Sequence, residues 1–279
     1  EQMKKKIKMA KIVLYIFLIV GALICLFPFY WMIRSSFMDM AQIFVMPPIL
    51  IPKPFVTSNY KDALEVIPYF RYLLNTVIIV VSNVGGSVLS ASLCAFSFSR
   101  MRWPGRDKIF MVILTALMMP TIVTMIPTFV MWSELRLTNS LVPLTLPIWF
   151  GGGVYNIFLF RQFFMGIPKE LDEAALIDGA SFFTIYWRIT LPLSKSVMVV
   201  VAIFSFLNSW NDFMGPLIYL NDESKYTLSL GLQLFQGNYS AQWHLLMAAA
   251  ILVLIPAIIV FFLGQKQIME GIATTGIKG

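Results

Sequence analysis

Charged side chains are scarce in this sequence, since Asp, Glu, Lys and Arg make up only 13% of its 279 residues. A soluble domain carries about 25% charged residues. The deficit is concentrated in stretches with almost no ionisable group, namely 12–33, 72–99, 109–132, 137–160 and 226–263. Stretches of this length and composition are typical of segments that lie in a lipid bilayer.

Histidine and cysteine are nearly absent, which limits the chemistry that the chain can carry. His244 is the only histidine, and we place it at the membrane interface, where the last apolar stretch begins. Cys25 and Cys94 both lie inside apolar stretches and are interpreted as small apolar residues rather than disulfide partners. A membrane-embedded enzyme would need a nucleophile with a base, or a set of metal ligands. We therefore predict no metal site and no catalytic residue.

The long apolar runs predict an all-α membrane protein with six transmembrane helices. A spanning helix needs about 20 mostly apolar residues, and backbone groups in a bilayer are satisfied inside helices or closed barrels. The runs are too long and continuous for the alternating strands of a barrel. The first run is interpreted as a retained helix, since no small-residue cleavage site follows it. The predicted spans are 12–33, 73–98, 109–132, 141–163, 196–218 and 245–264.

The distribution of Lys and Arg predicts the orientation of these spans. With the N-terminus inside, the inner segments hold 15 basic residues and the outer segments hold 6. The positive-inside rule then places both termini in the cytoplasm. The net charge of +7 is therefore interpreted as a topology signal rather than as a nucleic-acid-binding surface. The predicted domains are a basic N-terminal segment 1–11, a transmembrane domain 12–264 and a cytoplasmic tail 265–279.

Helix-breaking residues occur inside several spans, and two interpretations of them remain open. Gly and Pro are more common in membrane helices than in soluble ones. Alternatively, bent helices surround a path that opens and closes, because freed backbone groups need a neighbouring helix or a wet cavity. The residues concerned are Pro28, Gly85, Gly86, Pro120, Pro127, Pro143, Pro147, Gly151, Gly152, Gly153, Pro216 and Pro256.

The segment 164–195 between the fourth and fifth spans is predicted to form a helix–turn–helix unit. Pro168 suits a first helical turn, and the acidic residues that follow suit the positive end of a helix dipole. Gly179 can end the first helix in the left-handed conformation, and Ser181 can cap a second helix. Apolar residues recur at helical spacing along both helices, at Ile167, Leu171, Ala174, Ala175, Phe182, Ile185 and Ile189. Periodicity alone equally fits an amphipathic connector on the lipid headgroups.

The residue identities in this segment carry a more specific signal. Glu173-Ala-Ala, then Gly179, then Ile189-x-Leu191-Pro192 resembles the EAA signature of binding-protein-dependent ABC importer permeases. Residues 97–106, 208–217 and 271–279 also resemble the sugar-uptake, maltose-type branch of that family. The tail departs mildly from its pattern, since Ala-Thr-Thr-Gly stands where small residues such as alanine and glycine are usual.

The resemblance implies a MetI-like permease fold and a set of partners. It implies that the EAA helix docks on a cytoplasmic ATPase dimer. That dimer would bind ATP and Mg²⁺, whereas this chain would bind no cofactor. It also implies a second homologous permease subunit, which predicts a heterodimer, and an extracytoplasmic binding protein that faces the loop between spans five and six. The residues it assigns to ATPase coupling are Glu173, Ala174, Ala175, Asp178, Gly179, Ile189, Leu191 and Pro192. It also implies that Gly276, Lys278 and Gly279 of the C-terminal tail contact the ATPase dimer.

The sequence 208–212 is a candidate solute path. Amides beside an aromatic ring suit sugar hydroxyls and ring faces, which singles out Asn208, Trp210, Asn211 and Asp212. Polar residues in spans also act as interhelical contacts, and Asp212 is interpreted first as a partner in a polar kink. A stand-alone secondary transporter or channel remains the alternative function. It would need titratable groups inside the membrane, whereas only Asp212 approaches a span interior.

Overall fold

The computed structural model describes residues 2–237 and 241–276, and these residues form helices joined by turns and loops. Shorter 3-10 segments and one π-helical turn, Tyr186–Thr190, lie between the α-helices. The α-helices are α1 Gln2–Ser36, α2 Met40–Ile43, α3 Ser58–Val66, α4 Tyr69–Arg100, α5 Arg106–Thr115, α6 Thr121–Glu134, α7 Val142–Thr145, α8 Val154–Met165, α9 Glu170–Ile177, α10 Phe182–Ile185, α11 Leu191–Leu193, α12 Lys195–Trp210, α13 Met214–Tyr219, α14 Leu228–Gly231 and α15 Trp243–Gly276.

The described residues contain four apolar helices that could span a membrane, or six if two bent helix pairs are each counted as one span. The four are Lys11–Ser36, Tyr69–Arg100, Val142–Met165 and Trp243–Gln267. The two bent helix pairs are Arg106–Met118 with Thr121–Glu134 and Phe182–Leu193 with Lys195–Trp210. The all-α, multi-span fold class predicted from the sequence is therefore confirmed.

The third predicted span, 109–132, is broken near its middle. Its two halves meet at an angle of 98°. The break lies at Met119, which is extended with φ −83° and ψ 118°, because the ring of Pro120 excludes the helical region for the residue before it. Pro127, by contrast, lies inside α6 without ending it. Of these two prolines, only the first separates two helices.

The fifth span is also bent, at the point where the 164–195 segment joins it. The two helices meet at 80°, and the break is at Ser194, between α11 and α12. Pro192 lies in the short helix α11 just before this break. The prediction that the second helix of the segment stops here is confirmed.

One compact unit of the chain contains Tyr69–Gly231 and Pro256–Gly279. Its core forms around α4, which packs against α8 and α12. Gly152 permits one close approach in this core. A Cβ atom there would lie 2.5 Å from the Ala91 backbone nitrogen, and its φ is +69°. Glycine is the residue that satisfies both conditions.

The other compact unit contains Glu1–Pro68 and Leu232–Ile255. Asn59, which is buried in α3, donates hydrogen bonds to the backbone oxygens of Ser36 and Met38 at 2.9 and 2.8 Å. These bonds hold α3 against the C-terminal end of α1. The rest of α1 leaves its apolar side chains exposed from Ile12 to Phe29.

Candidate coupling hairpin and solute cavity

Residues 170–193, from the start of α9 to the end of α11, form the predicted helix–turn–helix unit, here named the coupling hairpin. Helix α9 ends at Ile177 with Asp178 as its C-cap, and Gly179 follows with a left-handed φ of +81°. Ser181 caps α10, because its hydroxyl accepts a hydrogen bond from the Thr184 backbone nitrogen at 3.2 Å. Both local predictions, the glycine termination and the serine cap, are confirmed.

One side of the coupling hairpin packs on the core of its unit. Ile185 and Tyr186 are buried, and Leu191 is 7% exposed. The Tyr186 hydroxyl lies 2.7 Å from the Ser92 hydroxyl on α4, which adds a buried hydrogen bond between hairpin and core. Ala175 and Ile189 are half-buried against the same core. The hairpin is therefore attached to the core mainly through its second half, from Ile185 to Leu191.

The hairpin also carries exposed apolar side chains. Ile177 is 87% exposed and Phe183 is 67% exposed. The helical periodicity predicted one apolar face, but the structure divides it. Ile167 and Ala175 contact the core, whereas Leu171 and Ala174 are exposed. Of the residues predicted to take part in coupling, the exposed ones are Glu173, Ala174, Asp178, Gly179 and Pro192.

An ion pair ties α9 to the end of α4. Arg100 Nη1 lies 3.1 Å from Asp172 Oδ2, and the two side chains are 2% and 14% exposed. Arg100 Nη2 also donates to the Ile167 backbone oxygen at 2.8 Å. Burial raises the pKa of the Asp172 carboxyl, whereas Arg100 opposes that rise. The sequence analysis did not predict this pair. The one feature that could have indicated it is the position of Arg100, directly after the long uncharged stretch 72–99.

A cavity of about 550 Å³ lies in the same unit as the hairpin. Its walls come from α4, the start of α8, α12 and the turn that follows α12. The lining residues are Asn83, Ser87, Leu117, Ile148, Gly153, Val154, Tyr155, Asn156, Ser205, Asn208, Ser209 and Asp212. The volume falls within the roughly 300–1,000 Å³ of small-molecule pockets.

Two buried oxygen atoms of this lining have no hydrogen-bond partner within the described residues: Asn83 Oδ1 and Ser87 Oγ. The Asn83 amide nitrogen is satisfied, since it donates to the Ser209 hydroxyl at 2.9 Å. Buried polar atoms are almost always hydrogen-bonded. Both atoms are shielded from solvent, although other atoms of their residues line the cavity.

The structure separates the four residues of the predicted solute path. Asn208 and Asp212 line the cavity. Trp210 is 4% exposed, and its ring stacks on Phe206 with centroids 5.3 Å apart. Asn211 is exposed and donates to the Leu207 backbone oxygen at 2.8 Å. The aromatic ring that lines the cavity is instead Tyr155, which the sequence interpretation did not select.

The predicted tail residues fall at the end of the described chain. Gly276 is the last residue of α15, and Lys278 and Gly279 lie outside the described residues. Among residues 2–237 and 241–276, no group of three or more His, Cys, Asp or Glu side chains is placed to hold a metal ion.

Comparison with known proteins identifies a matching family and several similar proteins. A family model described as "Binding-protein-dependent transport system inner membrane component" matches residues 87–272. The sn-glycerol-3-phosphate transport system permease protein of Yersinia pestis is 34% identical over 266 residues, covering 92% of this chain and 94% of the relative. A putative ABC transporter permease protein of Caldicellulosiruptor is 33% identical over 265 residues, covering 95% and 96%.

Solved structures share the fold. A chain of a bacterial ABC transporter involved in the import of the acidic polysaccharide alginate has a TM-score of 0.82 at 24% identity, with 93% of this chain and 96% of that chain covered. A chain of the MetNI methionine ABC transporter has a TM-score of 0.55 at 14% identity, covering 73% and 95%. These likenesses show that the fold is shared over most of the chain.

Proposed function

The chain belongs to the inner membrane components of binding-protein-dependent transport systems, and we propose that it forms half of the translocation path of an ATP-driven sugar importer. Family membership favours this function over a stand-alone transporter or channel. Carbohydrate or polyol cargo is supported by the relatives, which are named for sn-glycerol-3-phosphate, and by the alginate importer that shares the fold. The sequence resemblance to the maltose-type branch supports it independently.

The observation that carries the proposal is the division of the coupling hairpin into buried and exposed side chains. Ile185 and Tyr186 are buried in the core around α4, whereas Ile177 and Phe183 are exposed. Exposed apolar side chains grouped on one surface mark a site for a partner. A partner that moved this surface would move the spans, because the hairpin is attached to α4 by the Asp172 ion pair and the Tyr186 hydrogen bond.

The partner we propose is a cytoplasmic ATPase dimer, which would carry ATP and Mg²⁺ while this chain binds no cofactor. The hairpin residues Glu173, Asp178 and Gly179 are exposed and would contact this ATPase. Closure of the ATPase pair would draw the hairpins of two permease subunits together. The bent spans would then tilt as rigid bodies between inward-open and outward-open states. The tail from Gly276 to Gly279 would approach the same ATPase.

The remaining partners follow from the same assembly. A second, homologous permease subunit would complete the path as a heterodimer, and an extracytoplasmic binding protein would deliver the solute. Both termini would face the cytoplasm, and the chain would lie in the bacterial inner membrane as a multi-pass protein. The exposed apolar surface of α1, from Ile12 to Phe29, would be covered by lipid or by the second subunit.

Ile177→Asp and Phe183→Asp test the docking surface in the purified complete importer. Each is expected to weaken co-purification of the ATPase about thirtyfold, because an apolar anchor residue at a protein interface contributes about 2 kcal/mol or more. Binding-protein-stimulated ATP hydrolysis should fall in parallel. Insertion and thermal stability of the chain should stay unchanged, since both side chains are exposed.

Val66→Asp is the matched control. It makes the same apolar-to-acid change at a 43% exposed position at the end of α3. This variant should retain the ATPase in full. The proposal would be rejected by an Ile177→Asp importer that keeps its ATPase and its stimulated hydrolysis.

A further inference from the structure

The segment that follows α1 contains an uninterrupted apolar stretch. Residues 43–52 read Ile-Phe-Val-Met-Pro-Pro-Ile-Leu-Ile-Pro and include no charged, hydroxyl or amide side chain. We name these residues the apolar loop. Its large side chains are exposed, with Phe44 at 63%, Met46 at 86%, Leu50 at 61% and Ile51 at 63%. Exposed apolar side chains grouped in this way mark an interaction surface.

The apolar loop folds back along α1 to the edge of the membrane. The chain leaves the end of α1 and then returns beside Tyr30, whose hydroxyl donates to the Leu50 backbone oxygen at 2.6 Å. A hydrocarbon span of about 20 residues that begins at Ile12 ends near Trp31. Leu50 therefore lies near the level at which the acyl chains meet the lipid headgroups.

Aromatic and cationic side chains mark the same level. Tyr and Trp are enriched where a span leaves the hydrocarbon. Tyr30 is 42% exposed, and the Arg34 guanidinium lies over the Trp31 ring, with Cζ 4.0 Å from the ring centroid. Arg34 Nε also donates to the Ile49 backbone oxygen in the apolar loop. The exposed Lys53 directly follows the loop, where a long cationic side chain can reach lipid phosphates.

The backbone of the apolar loop is suited to partial burial in lipid. Backbone groups that enter apolar surroundings without a hydrogen-bond partner are costly. Pro47, Pro48 and Pro52 have no N–H group to satisfy. The carbonyl oxygens of Ile49 and Leu50 already accept hydrogen bonds from α1. Both features lower the cost of contact between this irregular segment and the bilayer.

Hydrogen bonds close the base of the apolar loop. Gln42, which is 7% exposed, donates to the Pro54 backbone oxygen at 3.3 Å and accepts from the Lys53 backbone nitrogen at 3.0 Å. The Val56 backbone nitrogen donates to the Phe37 backbone oxygen at 2.9 Å. The loop is therefore held in one arrangement before it meets a partner, which reduces the entropy lost on binding.

We propose that the apolar loop is a membrane anchor, which inserts Phe44, Met46, Leu50 and Ile51 among the phospholipids of the leaflet at the C-terminal end of α1. The occupant is lipid rather than a protein, because the loop continues the exposed apolar surface of a helix that crosses the bilayer. In the orientation proposed above, this is the outer leaflet. The anchor would fix the depth of α1 in the membrane, and it is independent of the solute and of the ATPase.

The test measures quenching of a fluorescent label in the complete importer in nanodiscs. Cys25→Ala and Cys94→Ala remove the native thiols, and Met46→Cys carries a nitrobenzoxadiazole label. Lys61→Cys is the matched control, because that side chain is 80% exposed on α3. A nitroxide high on the lipid acyl chain should quench the label at position 46. Aqueous iodide should quench it about tenfold less than the label at position 61, because a loop of this kind lies within the acyl boundary.

Thiol alkylation tests the same position without a bulky label. Unlabelled Met46→Cys should react with a cationic methanethiosulfonate at least about tenfold more slowly than Lys61→Cys, because apolar surroundings disfavour the reactive thiolate. Solubilising the importer in urea and detergent should remove the difference. Met46 is 86% exposed within the chain, so its replacement is expected to leave folding unchanged.

Three results would overturn the anchor. Iodide quenching at position 46 equal to that at position 61 would place the loop in water. Shielding from both quenchers would show that a protein, either the second permease subunit or the binding protein, covers the loop. Equal alkylation rates at the two positions would exclude lipid burial. ATP hydrolysis is measured separately on the same nanodiscs, so failure of the anchor is distinguished from failure of the import function.

Discussion

The ion pair between Arg100 and Asp172 gives the sharpest test of how the coupling hairpin is held. Both side chains are nearly buried, at 2% and 14% exposure, and their charged atoms are 3.1 Å apart. Removing one member of a buried pair leaves an uncompensated charge, at a cost of about 3–5 kcal/mol. Because Asp172 keeps some contact with solvent, we expect about 3 kcal/mol for Arg100→Met and for Asp172→Leu.

The double variant distinguishes a stabilising pair from a positioning pair. Replacing both members of a buried pair with apolar side chains of similar volume is often neutral for stability. Arg100 Nε and Asp172 Oδ1 are buried without a hydrogen-bond partner in the described chain, which lowers the net stability that the pair provides. We therefore expect the double variant to unfold within about 1 kcal/mol of the original protein.

The assay is reversible denaturation in mixed micelles, followed by tryptophan fluorescence, for the four members of the double-mutant cycle. A second measurement is sugar-stimulated ATP hydrolysis by the assembled importer. The double variant should be stable but poorly stimulated, because α9 has lost its electrostatic tie to α4. Additive destabilisation of the two single variants, or normal stimulation in the double variant, would refute the reasoning.

Two further outcomes follow from the structure. Burial raises the pKa of Asp172, and Arg100→Met removes the cation that opposes the rise, so this variant should be most stable when the carboxyl is protonated and lose stability as the pH rises through that pKa. A pH series of unfolding midpoints checks this, and adding Asp172→Leu should abolish the dependence. Gly152→Ala should destabilise by about 3 kcal/mol, since its Cβ would lie 2.5 Å from the Ala91 nitrogen at a left-handed φ. Gly105→Ala, which has a φ of +82° and open space around it, should cost only the backbone part, about 1 kcal/mol. Equal losses in these two glycine variants would contradict the packing argument.

Local features of the hairpin were predictable from sequence because they depend on neighbouring residues. Gly179 in the left-handed conformation and the Ser181 cap each involve a few consecutive positions. The break before Pro120 is equally local, yet the uniform hydropathy of residues 109–132 predicted one continuous span. Hydropathy reports where apolar residues lie, whereas the restriction that a proline imposes on its predecessor determines whether the helix continues.

The cavity could be predicted only in part, because it is a product of tertiary packing. Its polar residues come from positions as far apart as Asn83, Asn156 and Asp212. The segment 208–212 was selected as a contiguous polar cluster, but a helix distributes consecutive residues over different faces. Asn208 and Asp212, four positions apart, line the cavity, while Trp210 between them is buried against Phe206. The helical period separates Asn208 from Trp210, whereas Asp212 lies beyond the end of α12 and reaches the cavity through the turn that follows.

Helix α4 physically connects the two proposed sites. It carries Asn83 and Ser87 in the cavity wall, and it carries Arg100 in the ion pair with the coupling hairpin. Ser87 and Arg100 are separated by about 20 Å of helix, at a rise of about 1.5 Å per residue. Between them the Ser92 hydroxyl meets Tyr186 of the hairpin. A displacement of the hairpin by the proposed ATPase would reach the cavity through one continuous helix, so we expect solute contacts and ATPase contacts to change together.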